Sequence, residues 1–207
     1  MTAVDESFAV AAEVVELEQT VAALQRNGFM AELLADAQEA RARIRELVPQ
    51  GAAVLTAASE TLRLSGIYDD INTSGRYDAV VPRVHAMDQA AQADVIRRLR
   101  GTPDVAVGSV AAVTQTGTIV VASATSSQIP AYAGGARCVI WIVGAQKVVP
   151  DLATALRRVE TYAYPLEDAR ARAAYGRPTA INRLLIVNGE PFPGRSTVLL
   201  LREAIGY

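Results

Sequence analysis

The first half of the chain alternates short apolar runs with longer stretches of helical periodicity, and this alternation restricts the fold more than any other feature. Residues 30–34 and 52–56 are apolar runs of strand length. Between them, residues 37–47 place apolar side chains three and four positions apart, as on one face of a helix, and Pro49 closes the stretch. A short helix over 60–64 follows. Helices between the strands imply that the strands pair in parallel.

The second half is richer in strands. Its apolar runs contain many β-branched residues, and a further amphipathic helix begins near Pro150. We therefore predict an α/β fold in three layers, with a mixed sheet flanked by helices, in one domain that covers residues 1–207. With 51% apolar residues, the chain can bury a substantial core. The predicted strands of this half are 105–107, 117–122, 138–143 and 184–187.

Near the N-terminus, apolar residues recur at helical spacing over residues 10–28, which predicts a helix that ends at Gly28. Residues 1–9 precede this pattern and are expected to be disordered. The apolar stripe covers about two heptads, whereas a coiled coil needs three or four. Packing on the protein's own core is therefore favoured, and the stripe leaves a homodimer open.

Two polar stretches carry predictions that rest on local residue types alone. The segment 68–75 is rich in Asp, Asn and Ser, which indicates a loop. Asp88 is expected to cap a helix that buries Ala91, Val95 and Leu99.

Charge and composition exclude several classes of function. The net charge is -2, and acidic and basic residues are interspersed, so nucleic acid is not expected as a partner. No apolar run approaches the roughly 20 residues of a membrane helix, and the start of the chain lacks the pattern of a secretory signal. We therefore expect a cytoplasmic protein without a membrane partner.

Motifs for cofactors are also missing. One cysteine cannot hold an iron–sulfur cluster, and no spacing of His, Cys, Asp and Glu resembles a metal site. Neither the dinucleotide glycine pattern nor the phosphate-binding loop with its lysine occurs. The sequence thus predicts neither a metal nor a cofactor. It provides no catalytic constellation, since His85, the single histidine, lacks a partner for a triad.

Lys147 is the single lysine among the 20 lysine and arginine residues, and it follows the apolar run 138–143 just before a helix. A compact ammonium differs from a planar guanidinium in hydration and in how it meets an anion. Open α/β sheets bind ligands at such strand-to-helix junctions. Lys147 is therefore a candidate contact to a small anionic metabolite, and a surface lysine without a role is the alternative.

The turn after residues 52–56 is a second candidate. Ser59 and Thr61 stand at the start of a short helix, whose first amides can receive phosphate or carboxylate. Capping of the helix by Ser59 is the alternative, and the two roles are compatible.

Three short segments and one arginine complete the candidates. Gly108-Ser109 and Thr116-Gly117-Thr118 combine hydroxyls with glycines that let the backbone approach a ligand, or they form ordinary tight turns. The polar loop 123–128 either covers a pocket or is simply solvated. Arg195 precedes the last strand, where its guanidinium could clamp a carboxylate or form a structural ion pair with Glu203 or another acid.

Four groups of short motifs follow one another along the chain. They are Ser59-Glu-Thr-Leu62 with Gly66, Thr114-Gln-Thr-Gly-Thr118, Gly144-Ala-Gln-Lys147 with the stretch Asp151–Arg158, and the stretch Gly194–Glu203 with Gly206-Tyr207. Together they resemble the LUD, or lactate-utilisation, domain family, from about residue 20 to the C-terminus. The resemblance implies a fold of the NagB/RpiA/CoA-transferase-like group. It also implies a role near L-lactate oxidation to pyruvate, beside separate iron–sulfur partner proteins.

The chain departs from the family pattern at two positions. Relatives usually have an acid in the turn 114–117, and acyl-transfer relatives of the fold use a glutamate there as nucleophile. Gln115 cannot form an acyl anhydride, so CoA transfer through it is not expected. Gln146 stands where the family commonly has asparagine before the lysine. In both places a longer neutral amide favours binding over proton transfer.

The sequence leaves three functions open. The first is a lactate-utilisation protein that binds a small anionic metabolite and assists separate iron–sulfur oxidoreductase subunits. The second is an enzyme on a phosphorylated or acyl substrate, with Lys147 as electrophile or anion anchor and an acid or base from Glu60, Asp151 or His85. The third is a noncatalytic binding or regulatory domain. The first function predicts a pocket built from Ser59, Thr61, Gly117, Gln146, Lys147 and Arg195.

Overall fold

The structure, a computed structural model, describes residues 4–207, and its main feature is a six-stranded parallel sheet. The strands are β1 (Met30–Leu34), β2 (Ala53–Thr56), β3 (Asp78–Ala79), β4 (Val105–Gly108), β5 (Ala112–Thr114), β6 (Ile119–Ser123), β7 (Cys138–Val143), β8 (Val148–Val149), β9 (Arg183–Val187) and β10 (Ser196–Leu201). The parallel sheet has the order β1-β10-β7-β4-β2-β3, and every neighbouring pair in it is parallel.

Helices connect these strands. They are α1 (Val14–Arg26), α2 (Ala37–Leu47), α3 (Glu60–Leu64), α4 (Ile67–Thr73), α5 (Val80–His85), α6 (Ala93–Gly101), α7 (Leu152–Arg158) and α8 (Tyr164–Tyr175). Across residues 4–207, none of them is long and apolar enough to cross a membrane.

Alternation of side chains along the central strand β7 explains the layers. Val139, Trp141 and Val143 belong to the core on one face of the sheet, which α1 covers. Ile140 and Ile142 belong to the core on the other face, which α2 covers. Successive side chains of a strand point to opposite faces, so a strand covered on both sides is a continuous apolar run. The predicted three-layer α/β fold is confirmed.

The mixed portion predicted for the second half forms a sheet of its own, with the order β8-β5-β6-β9. β5 and β6 are an antiparallel hairpin, and β9 pairs antiparallel with β6. Val113 and Val121 face the core shared with the parallel sheet, whereas Ala112 and Val120 face a third cluster beside α7. This second sheet therefore lies between the main core and the C-terminal helices.

A long helical stretch covers the outer face of the second sheet. It consists of α7, a π-helical turn at Val159–Ala163, and α8, with helical dihedral angles at both junctions. Pro165 lacks the N–H that would continue an α-helical ladder, which accounts for the wider turn just before it. π turns inside helices often occur at functional sites.

The residues before α1 pack on this same region. Residues 4–9, expected to be disordered, include a 3-10 helix at Glu6–Ala9. The backbone N–H of Asp5 donates to the carbonyl of Thr161, and Phe8 is buried in the third cluster. The same expectation for residues 1–3 lies outside the described residues.

Helix α1 is shorter than the predicted 10–28. It begins at Val14, because Glu13 and Glu16 form a reciprocal capping box there. Leu17 and Leu24 pack on the core, as the stripe predicts, whereas Val10 is 73% exposed.

The prediction of a loop over 68–75 is wrong, because α4 occupies most of that segment. Ile71 is buried, and two polar residues of the segment have partners elsewhere in the chain. Asp70 pairs with Arg41 at 3.0 Å, and Asn72 donates to the Thr56 hydroxyl at 2.9 Å. Tertiary contacts outweigh local loop preference here.

The predicted face of the next helix is also wrong. Asp88 accepts the backbone N–H groups of Ala90 and Ala91, so it caps a turn, and α6 starts only at Ala93. This shift buries Ile96 and leaves Val95 exposed.

Candidate functional site

A cavity of about 590 Å³ lies at the carboxyl ends of the central parallel strands. Its floor and one side come from residues 57–60 after β2, residues 109–111 after β4, and Lys147 after β7. In open α/β sheets, ligands bind in the crevice outside the carboxyl ends of the strands, where the connecting loops and the first turns of helices meet.

The second sheet and the C-terminal helices supply the other walls. The end of β6 and the polar loop after it, residues 123–128, line the cavity, as one of the two interpretations of that loop predicts. The π-helical turn contributes Val159 and Ala163 to the wall. The remaining lining residues are Tyr164, Glu167, Arg170, Ala171, Tyr175, residues 177–182 and Tyr207.

Lys147 is the most buried charged group that reaches this cavity, with 1% of its surface exposed. Its Nζ donates to Thr61 Oγ1 at 2.8 Å, to Ser109 Oγ at 3.0 Å and to the Val110 carbonyl at 3.1 Å. All three partners are neutral oxygens, and no carboxylate within residues 4–207 forms an ion pair with this lysine.

Burial therefore disfavours the charged form of Lys147, and no carboxylate of the described residues offsets this cost. Desolvation, together with the nearby Arg158 guanidinium, lowers the pKa of Lys147 well below its usual value of 10.5. An anion that approaches this group would reverse the effect, because an opposite charge favours the ammonium. A strongly shifted ionisable group in a cleft is a recognised mark of functional sites.

Arg158 is a second buried cation, with 0% exposure, and its charge acts on Lys147. Its Nε donates to the Gln146 carbonyl at 3.2 Å, and its Nη1 donates to the Ala111 carbonyl. Its Nη2 has no hydrogen-bond partner among the described residues. Burial lowers the pKa of Arg158 to about 10, so it stays charged near neutral pH. Lys147 and Arg158 are thus two buried cations, and neither of them forms an ion pair with a carboxylate of the described residues.

Two of the predicted ligand contacts, Thr61 and Gln146, form hydrogen bonds with the C-terminal segment. Thr61 donates its hydroxyl to the Ile205 carbonyl at 3.3 Å. The Gln146 side chain donates to the Gly206 carbonyl at 2.7 Å and accepts the Ile205 N–H at 3.2 Å. Thr61 and Gln146 thus position Lys147 and the C-terminal segment, and neither lines the cavity.

Gly206 should be essential to this packing. Its φ of +67° disfavours other residues, and an added Cβ would lie 2.2 Å from Thr61 Oγ1 and 2.7 Å from Thr61 N. We expect Gly206→Ala to lower the free energy of unfolding by about 3 kcal/mol, from αL strain plus overpacking. That loss corresponds to roughly 6–12 °C in Tm for a chain of this size.

Gly75→Ala is the matched control, because Gly75 has a φ of +68° and nothing within 4 Å of an added Cβ. It should show the αL strain alone, about 1 kcal/mol. Equal losses for the two variants, measured by denaturant unfolding, would contradict the close contact of Gly206 with Thr61.

Two further groups face the cavity: the carboxyl group of Glu167 in α8 and the phenol of Tyr207 at the C-terminus. Glu167 accepts from Arg170 at 2.7 Å and from the Tyr207 hydroxyl at 2.5 Å. Burial raises the pKa of Glu167, but these hydrogen bonds outweigh it and hold that pKa below its usual value. Burial and the bond to Glu167 raise the pKa of Tyr207. Glu167 is therefore a carboxylate, and its charge is balanced by Arg170.

Among the predicted ligand contacts, Ser59, Ser109 and Lys147 line the cavity. The hairpin turn with Thr116, Gly117 and Thr118 lies against α1 instead: Asn27 donates to the Thr116 carbonyl at 2.9 Å. An added Cβ at Gly117 would approach α1 backbone at 2.9 Å.

Arg195 is likewise placed outside the cavity lining. It pairs with Glu190 at 2.9 Å, which is the structural ion pair that the sequence left open, and it donates to the carbonyls of Ala131 and Tyr132. Gln115 donates to Glu16 at 2.9 Å and is also absent from the lining.

Comparison with known proteins decides the family. No curated protein matches this chain. The LUD domain, however, matches residues 17–201, which is most of the chain. The chain belongs to the LUD domain family. This LUD domain is also similar in structure to a DUF162 family protein from Deinococcus radiodurans, with 16% identity and a TM-score of 0.56 over 93% of this chain and 99% of that one. At that identity the likeness shows the fold alone.

Proposed function

We propose that this LUD domain protein binds a small anionic metabolite, of carboxylate type, in the cavity above Lys147. The observation that carries the proposal is the fully buried Lys147 amine, which faces a cavity, is held by three neutral oxygens and pairs with no acid in residues 4–207. A buried ammonium without a counter-charge is costly, and a bound anion removes that cost.

Two hydroxyl groups favour an anion at this place. Ser109 accepts from Lys147, so its own hydrogen is free to donate into the cavity that it lines. Ser59 accepts the Leu62 N–H and has the same freedom. Both serines can therefore donate to a carboxylate in the cavity, and the lysine charge lies directly behind Ser109. At an effective dielectric constant of about 20, a unit charge about 5 Å from an ammonium gains roughly 3 kcal/mol.

The biological role that fits family membership is lactate utilisation. We propose that the protein assists L-lactate oxidation together with separate iron–sulfur proteins, and that the bound anion is L-lactate, pyruvate or a related acid. The chain has one cysteine, so electrons would pass through partner proteins rather than through a cluster held by this chain.

A thermal-shift screen of the wild-type protein tests the proposal. Its ligands are L-lactate, pyruvate, sugar phosphates, acyl-CoA and folates. A ligand at about 100 times its Kd stabilises the native state by about 2.7 kcal/mol, which is roughly 5–11 °C in Tm. We expect such a shift with a small carboxylate. The absence of a shift with every anion in the screen would contradict the proposal.

A further inference from the structure

Ser109 lies at the floor of the cavity, directly after a strand of the parallel sheet. It follows Gly108, the last residue of β4, and its Oγ lies 3.0 Å from Lys147 Nζ. An added Cβ at Gly108 would lie 3.1 Å from Ala57 Cβ, which is tighter than an ordinary contact, so glycine favours the close approach of β4 to the turn after β2. The fold thus places the Ser109 hydroxyl and the Lys147 amine next to each other at the floor of an open cavity.

The hydrogen bonds around Lys147 determine where its lone pair points. The Val110 carbonyl can only accept, so it takes one N–H. The Thr61 hydroxyl uses its hydrogen on the Ile205 carbonyl, so its oxygen accepts a second N–H. The remaining contact is with Ser109. An ammonium would donate its third N–H there, whereas a neutral amine would accept the serine hydrogen on its lone pair.

The surroundings favour the neutral amine when no anion is bound. Burial and the Arg158 charge lower the pKa of Lys147, and no acid in the described chain opposes this. In that state the lone pair of Lys147 receives the Ser109 hydrogen, while Thr61 and Val110 fix the direction of the amine. A nucleophile, a base within hydrogen-bond reach, and a third group that orients the base are the general arrangement of an activated serine.

We propose that Ser109 is a nucleophile and Lys147 its general base, acting on a small acyl ester or thioester that enters the cavity. This inference rests on the proposed function in one respect, namely that the same cavity admits the ligand. It does not involve the turn that contains Gln115, which lies outside the cavity lining.

The covalent steps balance with water as the second reactant. Ser109 Oγ bonds to the carbonyl carbon while its proton moves to Lys147 Nζ and the carbonyl electron pair moves to oxygen. The tetrahedral adduct then expels the alcohol or thiol, which takes the proton from Lys147. Water adds to the acyl-serine, passes a proton to Lys147, and Ser109 regains that proton as the acid leaves. The product is a carboxylate, which is the kind of anion that the cavity is proposed to bind.

Labelling with a fluorescent alkyl fluorophosphonate tests the pair, because phosphorus takes the place of the carbonyl carbon and fluoride leaves. We expect one label per chain, located on Ser109 by peptide mass spectrometry. Lys147→Met should slow labelling by at least about 100-fold, the usual contribution of a general base. The wild-type rate should rise with pH through the pKa of Lys147 and then level off.

Ser127→Ala is the matched control, because Ser127 lines the same cavity and its hydroxyl bonds to Gln128 rather than to a lysine. It should be labelled at the wild-type rate. Failure of the wild type to react, a label that persists in Ser109→Ala, or a rate in Lys147→Met equal to wild type would overturn the inference. Calorimetric titration of wild-type protein with carboxylates reports on the proposed anion binding separately, so each of the two ideas can fail alone.

Discussion

Replacing Lys147 with methionine is expected to weaken carboxylate binding by about 100-fold while the protein stays folded. The roughly 3 kcal/mol that the ammonium supplies corresponds to that factor. Methionine matches lysine up to Cε and lacks only the terminal nitrogen, so most of the buried space around the side chain remains filled. Isothermal titration of both proteins with the ligand found in the screen measures the difference.

The same substitution should raise stability rather than lower it. In the unfolded chain Lys147 titrates near 10.5, and in the folded chain its pKa is lower. Between the two pKa values the unfolded state binds more protons than the folded state, so wild-type stability rises with pH in that window. Below the lower pKa, the full cost of burying the charged amine lowers the stability of the wild type. The variant lacks this slope, and near neutral pH its Tm should equal or exceed the wild-type value.

Arg177→Met is the matched control for the binding loss. Arg177 also lines the cavity and carries a positive charge, but it is exposed to solvent. Water screens such a charge, so we expect its removal to change affinity by a few-fold at most. Equal losses for the two variants would mean that the general field of the cavity, rather than the buried lysine, holds the anion.

Gly108→Ala is expected to lower stability by at least as much as Gly206→Ala. An added Cβ would lie 1.6 Å from the Tyr132 hydroxyl oxygen and 2.8 Å from Cζ. Tyr132 cannot move away easily, because it is fully buried and its ring packs edge-on against Trp141 at a centroid distance of 5.5 Å. Overpacking of this kind costs about 3 kcal/mol or more, which is roughly 6–12 °C in Tm.

A second substitution separates this clash from other effects. The Tyr132 hydroxyl is buried without a partner among residues 4–207. Tyr132→Phe alone should therefore be neutral or stabilising, because an unpaired buried hydroxyl costs free energy. In the double variant Gly108→Ala with Tyr132→Phe, part of the lost stability should return. Additive effects in a thermal-unfolding double-mutant cycle would contradict the clash.

The strands of the fold could be predicted from the sequence because burial on both faces leaves continuous apolar runs, as in 138–143. The helix over 67–73 could not. Its aspartates and asparagine have the composition of a loop, and they become acceptable in a helix only because Arg41 and Thr56 lie within reach.

For the site, Lys147 and Ser59 were predictable because they directly follow apolar strands, at the end of the sheet where ligands bind. Thr116, Gly117 and Thr118 have suitable chemistry but lie at the tip of the β5–β6 hairpin. Ala111, before β5, and Ser123, at the end of β6, line the cavity, so the tip between them points to the opposite end. Residue type alone does not tell the two ends of a hairpin apart.

Two groups at or near the cavity were missed for related reasons. The motif over 151–158 contains Arg158, yet nothing in the sequence shows that this arginine turns inward. Glu167 and Tyr207 are 40 positions apart and meet only because the C-terminal segment folds back. Ser109 was predicted, with Gly108, to lie near a ligand, but its pairing with Lys147 could not be predicted, because it depends on how β4 and β7 lie side by side.

The central claim is that Lys147 is a buried amine whose charge depends on a bound anion. Because it is the only lysine in the chain, labelling with ¹⁵N-ζ-lysine should give one side-chain NMR signal that titrates with Lys147 alone. We predict a pKa well below 10.5 for the free protein and a higher pKa once the carboxylate is bound. A pKa near 10.5 in the free protein, or one that the ligand leaves unchanged, would contradict the account.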